Sequence, residues 1–350
     1  MPGRICIFGE DLDYMNLHVI TAAINLRMHI KGDVSEDGMI SIYYQDLKEH
    51  DRFPIDRPAH YRKKRDYIRA TFNVLTRKGY EIPQGVTATI WSEIPIGRGL
   101  ASSSALTVIW IAFLNELFNF KLTKEEIAEL AYLSEVVENN ESGGNMDHYT
   151  CSLGSGMHID CSSNEITHLN LDHLAESIVI ADTCIVKKEL VHTERKRNIM
   201  EGIKWFSKFV KNFDLKTVEC EELEPILPQI PSTPLKHARA IIRLRDITEE
   251  AEKELTDGVG NPEKIGQLIN AFHQELIQGF NNSTDMTEKL IQEAKQAGAL
   301  GGKIIGSGFG GCVLLYCPRK QKEVAQVVEN CGGQPYIVQI DEGIRVDFKE

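Results

Sequence analysis

Two spacings of apolar residues divide the chain. Short runs rich in β-branched and aromatic side chains predict strands, and longer stretches with an apolar residue every three or four positions predict helices. Strands are expected at residues 5–8, 40–45 and 86–94, and helices at 61–77, 101–118 and 124–139. Beyond these, a strand at 178–181 is followed by helices at 194–212, 236–254, 262–280 and 286–296, then by short strands at 302–305, 312–316 and 335–340. Strands mix irregularly with helices in both halves, which favours an α+β fold over a doubly wound parallel sheet. There are no internal repeats and no long Gly/Ser linker, so a boundary is expected in a turn near residues 164–177, dividing the chain into 1–170 and 171–350.

Charge narrows the choice of partners. The 350 residues carry 39 basic and 51 acidic side chains, a formal charge of −12, which disfavours a nucleic-acid or anionic-membrane surface. The longest apolar run, 105–114, is far short of a membrane span and contains Thr107. The N-terminal residues lack the basic, apolar and small-residue series of an export signal, and none of the eight cysteines falls in a C-x-x-C pair. A cytoplasmic protein with reduced, mostly buried thiols is expected; its oligomeric state is not readable.

Four segments can carry chemistry. In Pro95-Ile-Gly-Arg-Gly-Leu-Ala-Ser-Ser-Ser-Ala105 a strand ends in a loop containing Gly97 and Gly99 and runs into a helix opening with Ser102, Ser103 and Ser104. The free N–H groups at such a helix start, with the dipole behind them, favour a bound anion. Plain N-capping by Ser102 or Ser103 would explain one serine but not the paired glycines and the triplet. In Lys303-Ile-Ile-Gly-Ser-Gly-Phe-Gly-Gly-Cys312 the glycines fit G-x-G-x-x-G, but a strand follows where a dinucleotide site needs a helix, so a tight hairpin is the competing reading. No G-x-x-x-x-G-K-[ST] occurs. In Gly143-Gly-Asn-Met-Asp-His148, reached from a helix bearing Glu135, Glu138 and Glu141, Asp147 is either a turn residue or a carboxylate aimed at a hydroxyl nucleophile. In the N-terminal stretch Pro2 to Tyr14, a short strand carries Arg4 at its start and Glu10, Asp11 and Asp13 at its end; these acids either shape a turn or accept hydrogen bonds from a polyhydroxyl ligand.

Together, in this order, the four segments resemble the GHMP kinases, the superfamily of galactokinase, homoserine kinase, mevalonate kinase and phosphomevalonate kinase. The serine-rich loop is similar to its nucleotide phosphate loop, and the glycines Gly306, Gly308, Gly310 and Gly311 to its third motif. Pro2-Gly-Arg to Gly-Glu-x-x-Asp-Tyr14 is similar to the galactokinase sugar signature, and Gly144-Asn-Met-Asp-His148 to its catalytic aspartate segment.

The resemblance implies two α+β domains with ATP and substrate in the cleft between them, and transfer of the γ-phosphate to a monosaccharide, at the anomeric hydroxyl. Asp147 would be the catalytic aspartate, with Arg4 beside it. Gly97, Gly99, Leu100, Ala101, Ser102, Ser103 and Ser104 would hold the ATP phosphates, and Ser104 and Glu135 would hold Mg²⁺. Glu10, Asp11, Asp13, Gly144 and Asp147 would meet the sugar. Galactokinases carry histidine where this chain has Asp11; aspartate can only accept a hydrogen bond, and its charge disfavours a uronic acid unless a cation lies nearby. A mevalonate-like alcohol is the rival acceptor, and a non-catalytic sugar sensor the rival role. Tyr43, Tyr44 and Trp91 are candidates for adenine contacts or for core, and Lys187, Lys188, Arg195 and Arg197 either place positive charge near the phosphates or form a solvated helix face, the second reading being favoured.

Overall fold

A computed structural model describes residues 1–186, 191–223, 231–256 and 260–347. These form two compact units. The first gathers Met1–Arg4, Ala22–Ser155 and Asp341–Glu350, and the second Ile5–Thr21 and Gly156–Ile340. This partition by packing differs from a single cut at residue 170, because β1 (Pro2–Phe8) and β2 (His18–Ser35) each pass from one unit to the other.

In the first unit β2 pairs along Met28–Ser35 with β5 (Gly85–Ser92), which pairs in parallel with β3 (Met39–Tyr44), itself antiparallel to β4 (Glu49–Pro54). Helices α1 (Tyr67–Arg77), α2 (Ser102–Phe118), α3 (Lys124–Tyr132) and α4 (Met146–Leu153) pack on one another. Helix α2 has a buried residue on every side, Trp110 among them, so it is fixed in place. Helix α3 starts with a capping box, Thr123 Oγ1 accepting from the Glu126 N–H while the Glu126 carboxylate accepts from the Thr123 N–H.

Two helical boundaries differ from the sequence reading by well over a turn. Helix α1 begins at Tyr67 rather than at 61, because Asp66 turns its carboxylate back to the Arg62 N–H and Arg65 takes a left-handed φ of 60°. The helix expected through 139 ends as α-helix at Tyr132 and widens into a π turn at Leu133–Val137, the kind of insertion that re-aims side chains at functional sites.

In the second unit β6 (Gly156–Asp160) and β7 (Glu165–Leu169) form a hairpin. A separate antiparallel sheet has the order β11–β8–β10–β9, built from β8 (Ile178–Asp182), β9 (Gly301–Ile304), β10 (Cys312–Tyr316) and β11 (Gln334–Val338). Strands β8 and β10 are buried throughout. Val179, Ala181, Val313 and Leu315 pack there with Leu290 and Ile291 of α9 (Asp285–Gln296) and Val324 and Val328 of α10 (Gln321–Asn330). Helix α5 (Val191–Phe209) packs on α7 (Ser232–Thr256), which packs on α8 (Pro262–Phe280). Phe206, Ala238 and Ile242 meet Leu223 of the short α6 (Cys220–Leu223). Six of the eight cysteines are buried, and among the described residues no helix is long and apolar enough to cross a membrane.

Candidate active site

In the first unit the chemistry converges on one carboxylate. Arg4 is 4% exposed, and its guanidinium donates Nε to Asp147 Oδ1 and Nη2 to Asp147 Oδ2, both at 2.6 Å. Its remaining arm, Nη1, donates to the Gly99 carbonyl at 2.7 Å. This two-pronged ion pair fixes the carboxylate in plane as well as in position, and it ties the carboxylate to the glycine loop. Asp147 lies in the first turn of α4, where the helix dipole favours negative charge, and its side chain keeps 23% of its surface open.

The loop before α2 turns by left-handed backbone at Gly97 (φ 71°), Gly99 (φ 96°) and Ala101 (φ 60°), and the Gly97 N–H donates to Ser102 Oγ at 3.2 Å. The N-cap is Ala101, which makes no side-chain cap bond, so neither Ser102 nor Ser103 fills the plain capping role. The first N–H groups of a helix are the kind of donor that can hold an anion. Leu100 is buried and its carbonyl accepts the Arg4 N–H.

Glu135 projects from the π turn into a buried polar cluster. Its Oε2 lies 2.8 Å from His148 Nε2 and 3.3 Å from Thr107 Oγ1, and the hydroxyls of Ser103 and Ser104 also hydrogen-bond the carboxylate. Burial works against its ionisation, yet His148 and these hydroxyls together hold the carboxyl below its usual range. One carboxylate beside one serine hydroxyl is an all-oxygen donor set that fits Mg²⁺, which takes few protein ligands and completes its shell with water and substrate phosphate. Among the described residues no group of three or more His, Cys, Asp or Glu could hold a metal alone. Sequence reasoning missed His148 and Thr107 as partners of Glu135; the helical spacing Ser103/Ser104/Thr107 on α2 is the signal that could have found the second.

In the second unit an acidic turn, Glu10 to Asp13, follows β1. Gly9 has φ 113°, and a Cβ there would lie 2.8 Å from Val19 Cα, so only glycine fits this crossing. Glu10, 1% exposed, pairs with the buried ammonium of Lys303 on β9. Asp11 accepts Arg195 Nη1 on Oδ2 and the Tyr14 hydroxyl on Oδ1, both at 2.6 Å. Asp13 opens a 3₁₀ turn, Asp13–Met15, and is buried. The glycine-rich segment is a β-hairpin connection: β9 and β10 are antiparallel, with Gly306, Gly308, Gly310 and Gly311 all at positive φ. A Cβ on Gly308 would lie 2.4 Å from the Asn282 carbonyl oxygen.

Arg195 corrects the sequence reading. It is buried, not part of a solvated face, because it neutralises Asp11 and stacks over Phe280 at 4.6 Å. The cation that lifts the charge argument against anionic acceptors is therefore present. Arg197 is exposed as expected, and Lys187 and Lys188 lie outside the described residues. Tyr43 stacks on His50 and Trp91 on His29, contacts made by the sheet itself, and Tyr44 is half-buried.

Glycine loop, helix start and arginine-held aspartate, all in the first unit, are parts that suit a small-molecule kinase. Comparison with known proteins gives the family: the models "GHMP kinases N terminal domain" and "GHMP kinases C terminal" match residues 66–155 and 248–334. The chain belongs to the GHMP kinases, phosphotransferases that use ATP as co-substrate and an alcohol group as acceptor. Its relatives carry two names. It is 30% identical to the mevalonate kinase of Thermococcus sibiricus, over 99% of this chain and 97% of that one. It is 28% identical to the galactokinase of Mannheimia succiniciproducens, over 93% and 87%. The solved structure of Lactococcus lactis galactokinase complexed with galactose superposes with a TM-score of 0.87 at 27% identity, covering 98% of this chain and 92% of that one.

Proposed function

We propose that this GHMP kinase is a sugar kinase of galactokinase type, transferring the ATP γ-phosphate to the anomeric hydroxyl of a free monosaccharide, galactose first among the candidates, to give the sugar 1-phosphate. The observation that carries this reading is the Arg4 fork on Asp147, anchored to the phosphate loop through Gly99. It supplies a carboxylate acceptor for a hydroxyl proton, tied to the loop proposed to hold the nucleotide. The Asp13-Tyr14 end of the sugar signature and the likeness to a galactose-bound galactokinase support a sugar as the acceptor.

Phosphoryl transfer asks mainly for in-line positioning and neutralisation of charge on the moving group. Gly97 to Ser104 hold the triphosphate on backbone N–H groups and hydroxyls. Ser104 and Glu135 are the residues that would hold Mg²⁺, which when bound would neutralise charge at the phosphates. The open edge of Asp147 accepts a hydrogen bond from the sugar hydroxyl and turns its lone pair toward the γ-phosphorus. As the O–P bond forms, the bond to the β-γ bridging oxygen breaks, ADP leaves, and the hydroxyl proton passes to Asp147. Gly144, in the turn before α4, is the residue carried over from the resemblance for contact with a further hydroxyl.

The 30% identity to a mevalonate kinase favours a second reading, a smaller branched alcohol as acceptor. A coupled assay of ADP release against galactose, glucose, arabinose, N-acetylgalactosamine, glucuronate, inositol and mevalonate, with the phosphorylated position read by NMR, decides. Selective turnover to a sugar 1-phosphate supports the proposal, and turnover of mevalonate alone overturns it. ATP binding without turnover of any acceptor favours a sensor.

A further inference from the structure

The side chain that departs from the galactokinase signature is held by a buried network. Asp11 stands at a left-handed φ of 66°, and both carboxylate oxygens are engaged, Oδ2 by Arg195 and Oδ1 by Tyr14. The side chains of Asp11 and Arg195 are 1% and 3% exposed. Arg195 does more than neutralise the acid. Its second arm, Nη2, donates to the Ser307 carbonyl at 2.7 Å, at the centre of the glycine-rich hairpin, and Asn282 Nδ2 approaches the same oxygen at 3.3 Å. The hairpin is also held by the Thr183 hydroxyl and N–H on the Gly311 carbonyl, by the Phe309 N–H on the Asn282 carbonyl at 2.6 Å and by the Gly311 N–H on the Ile185 carbonyl at 3.3 Å, none of which reaches the turn after β1. One guanidinium thus spans the turn after β1 and the loop between β9 and β10, two segments nearly 300 positions apart in the chain.

We infer that Arg195 is a positioning residue that locks the sugar-signature turn to the glycine-rich loop, with Asp11 as its anchor rather than as a ligand for the acceptor. The inference rests on the kinase reading for its kinetic consequence only. A planar fork suits this task because its two arms are fixed relative to each other, whereas a lysine ammonium offers one point charge and cannot span both acceptors. Burial makes the arrangement stiff, since either partner alone would be a buried, uncompensated charge.

The test compares Arg195→Lys, Arg195→Met and the double variant Arg195→Met/Asp11→Asn by hydrogen exchange of the peptide covering residues 305–312, by melting temperature and by steady-state kinetics. In Arg195→Lys we expect exchange of that peptide at least tenfold faster and KM for the acceptor raised about tenfold with a smaller change in kcat. Arg195→Met is expected to melt well below the parent. The double variant should recover most of that melting temperature, because no charge is left unpaired, while exchange stays fast and KM stays high. Recovery of protection and KM together with stability would overturn the inference, as would unchanged exchange in Arg195→Lys. Exchange is read without substrate, so a failure of the proposed kinase activity leaves this result standing or falling by itself.

Discussion

The guanidinium of Arg4 makes three directed hydrogen bonds, and each has a different loss when removed. Arg4→Lys keeps the charge but not the fork, so the carboxylate of Asp147 gains freedom of rotation; kcat is expected to fall by about 10²-fold with the melting temperature little changed. Asp147→Asn keeps the shape and removes the proton acceptor, and kcat is expected to fall by roughly 10²–10⁴-fold while ATP affinity by equilibrium titration holds. Parent-like turnover in Asp147→Asn would remove this carboxylate from the mechanism. A separate acid, Asp160 at the end of β6, gives a pH signature. Burial opposes its ionisation, but the Ser162 hydroxyl and N–H, with His18 and Lys216 nearby, hold its pKa at about 2. A depressed folded value means stability that is present above the unfolded value of 3.8 and lost as pH falls through about 2. Melting curves should therefore show Asp160→Asn below the parent at pH 5 and converging on it by pH 2.

Helix α3 and its π extension show where local signals suffice and where they do not. The Thr123 to Glu126 capping box is legible in the sequence, and Thr123→Ala should cost about 1 kcal/mol in urea unfolding. The widening at Leu133–Val137 is not legible, since the apolar spacing runs on smoothly while the cause lies elsewhere, in Glu135 reaching His148, Thr107 and the serines of α2. Strand β2 has no signal in the sequence reading for a related reason. Val19–Ile24 are buried on both faces, so alternation appears only in the half that pairs with β5. The glycine loops were legible as loops, because positive φ demands glycine; that Ser307 would be bridged to Asp11 was not, because nothing local marks a basic helix face as buried. Gly308→Ala tests the tightness of the hairpin. With φ at 77° and the Asn282 carbonyl in the way, the variant is expected to lose about 2 kcal/mol or more, read by urea unfolding.

On the scale of the whole molecule, the α+β architecture followed from the irregular mixing of strands and helices, whereas the discontinuous make-up of the units did not, since composition carries no record of a chain that leaves a unit and returns. The returning segment is bound by specific contacts. Arg27 on β2 donates Nε to Asp341 at 2.8 Å and Nη2 to the Glu342 carbonyl at 2.8 Å, and the Ser155 N–H donates to the Asp341 carbonyl at 2.7 Å. Gly154 lies so close to Gly343 that a Cβ on it would fall 1.8 Å from the Gly343 nitrogen. Asp341→Ala should cost roughly 1 kcal/mol by the loss of its charge-assisted bond. A larger consequence concerns covalent continuity. A protease that nicks the backbone once between residues 171 and 340 produces two polypeptides, yet the first unit still draws strands from one and its closing segment from the other. The fragments should migrate together on a native gel and part only in denaturant, so a cleaved preparation would pass for an intact one until it is unfolded.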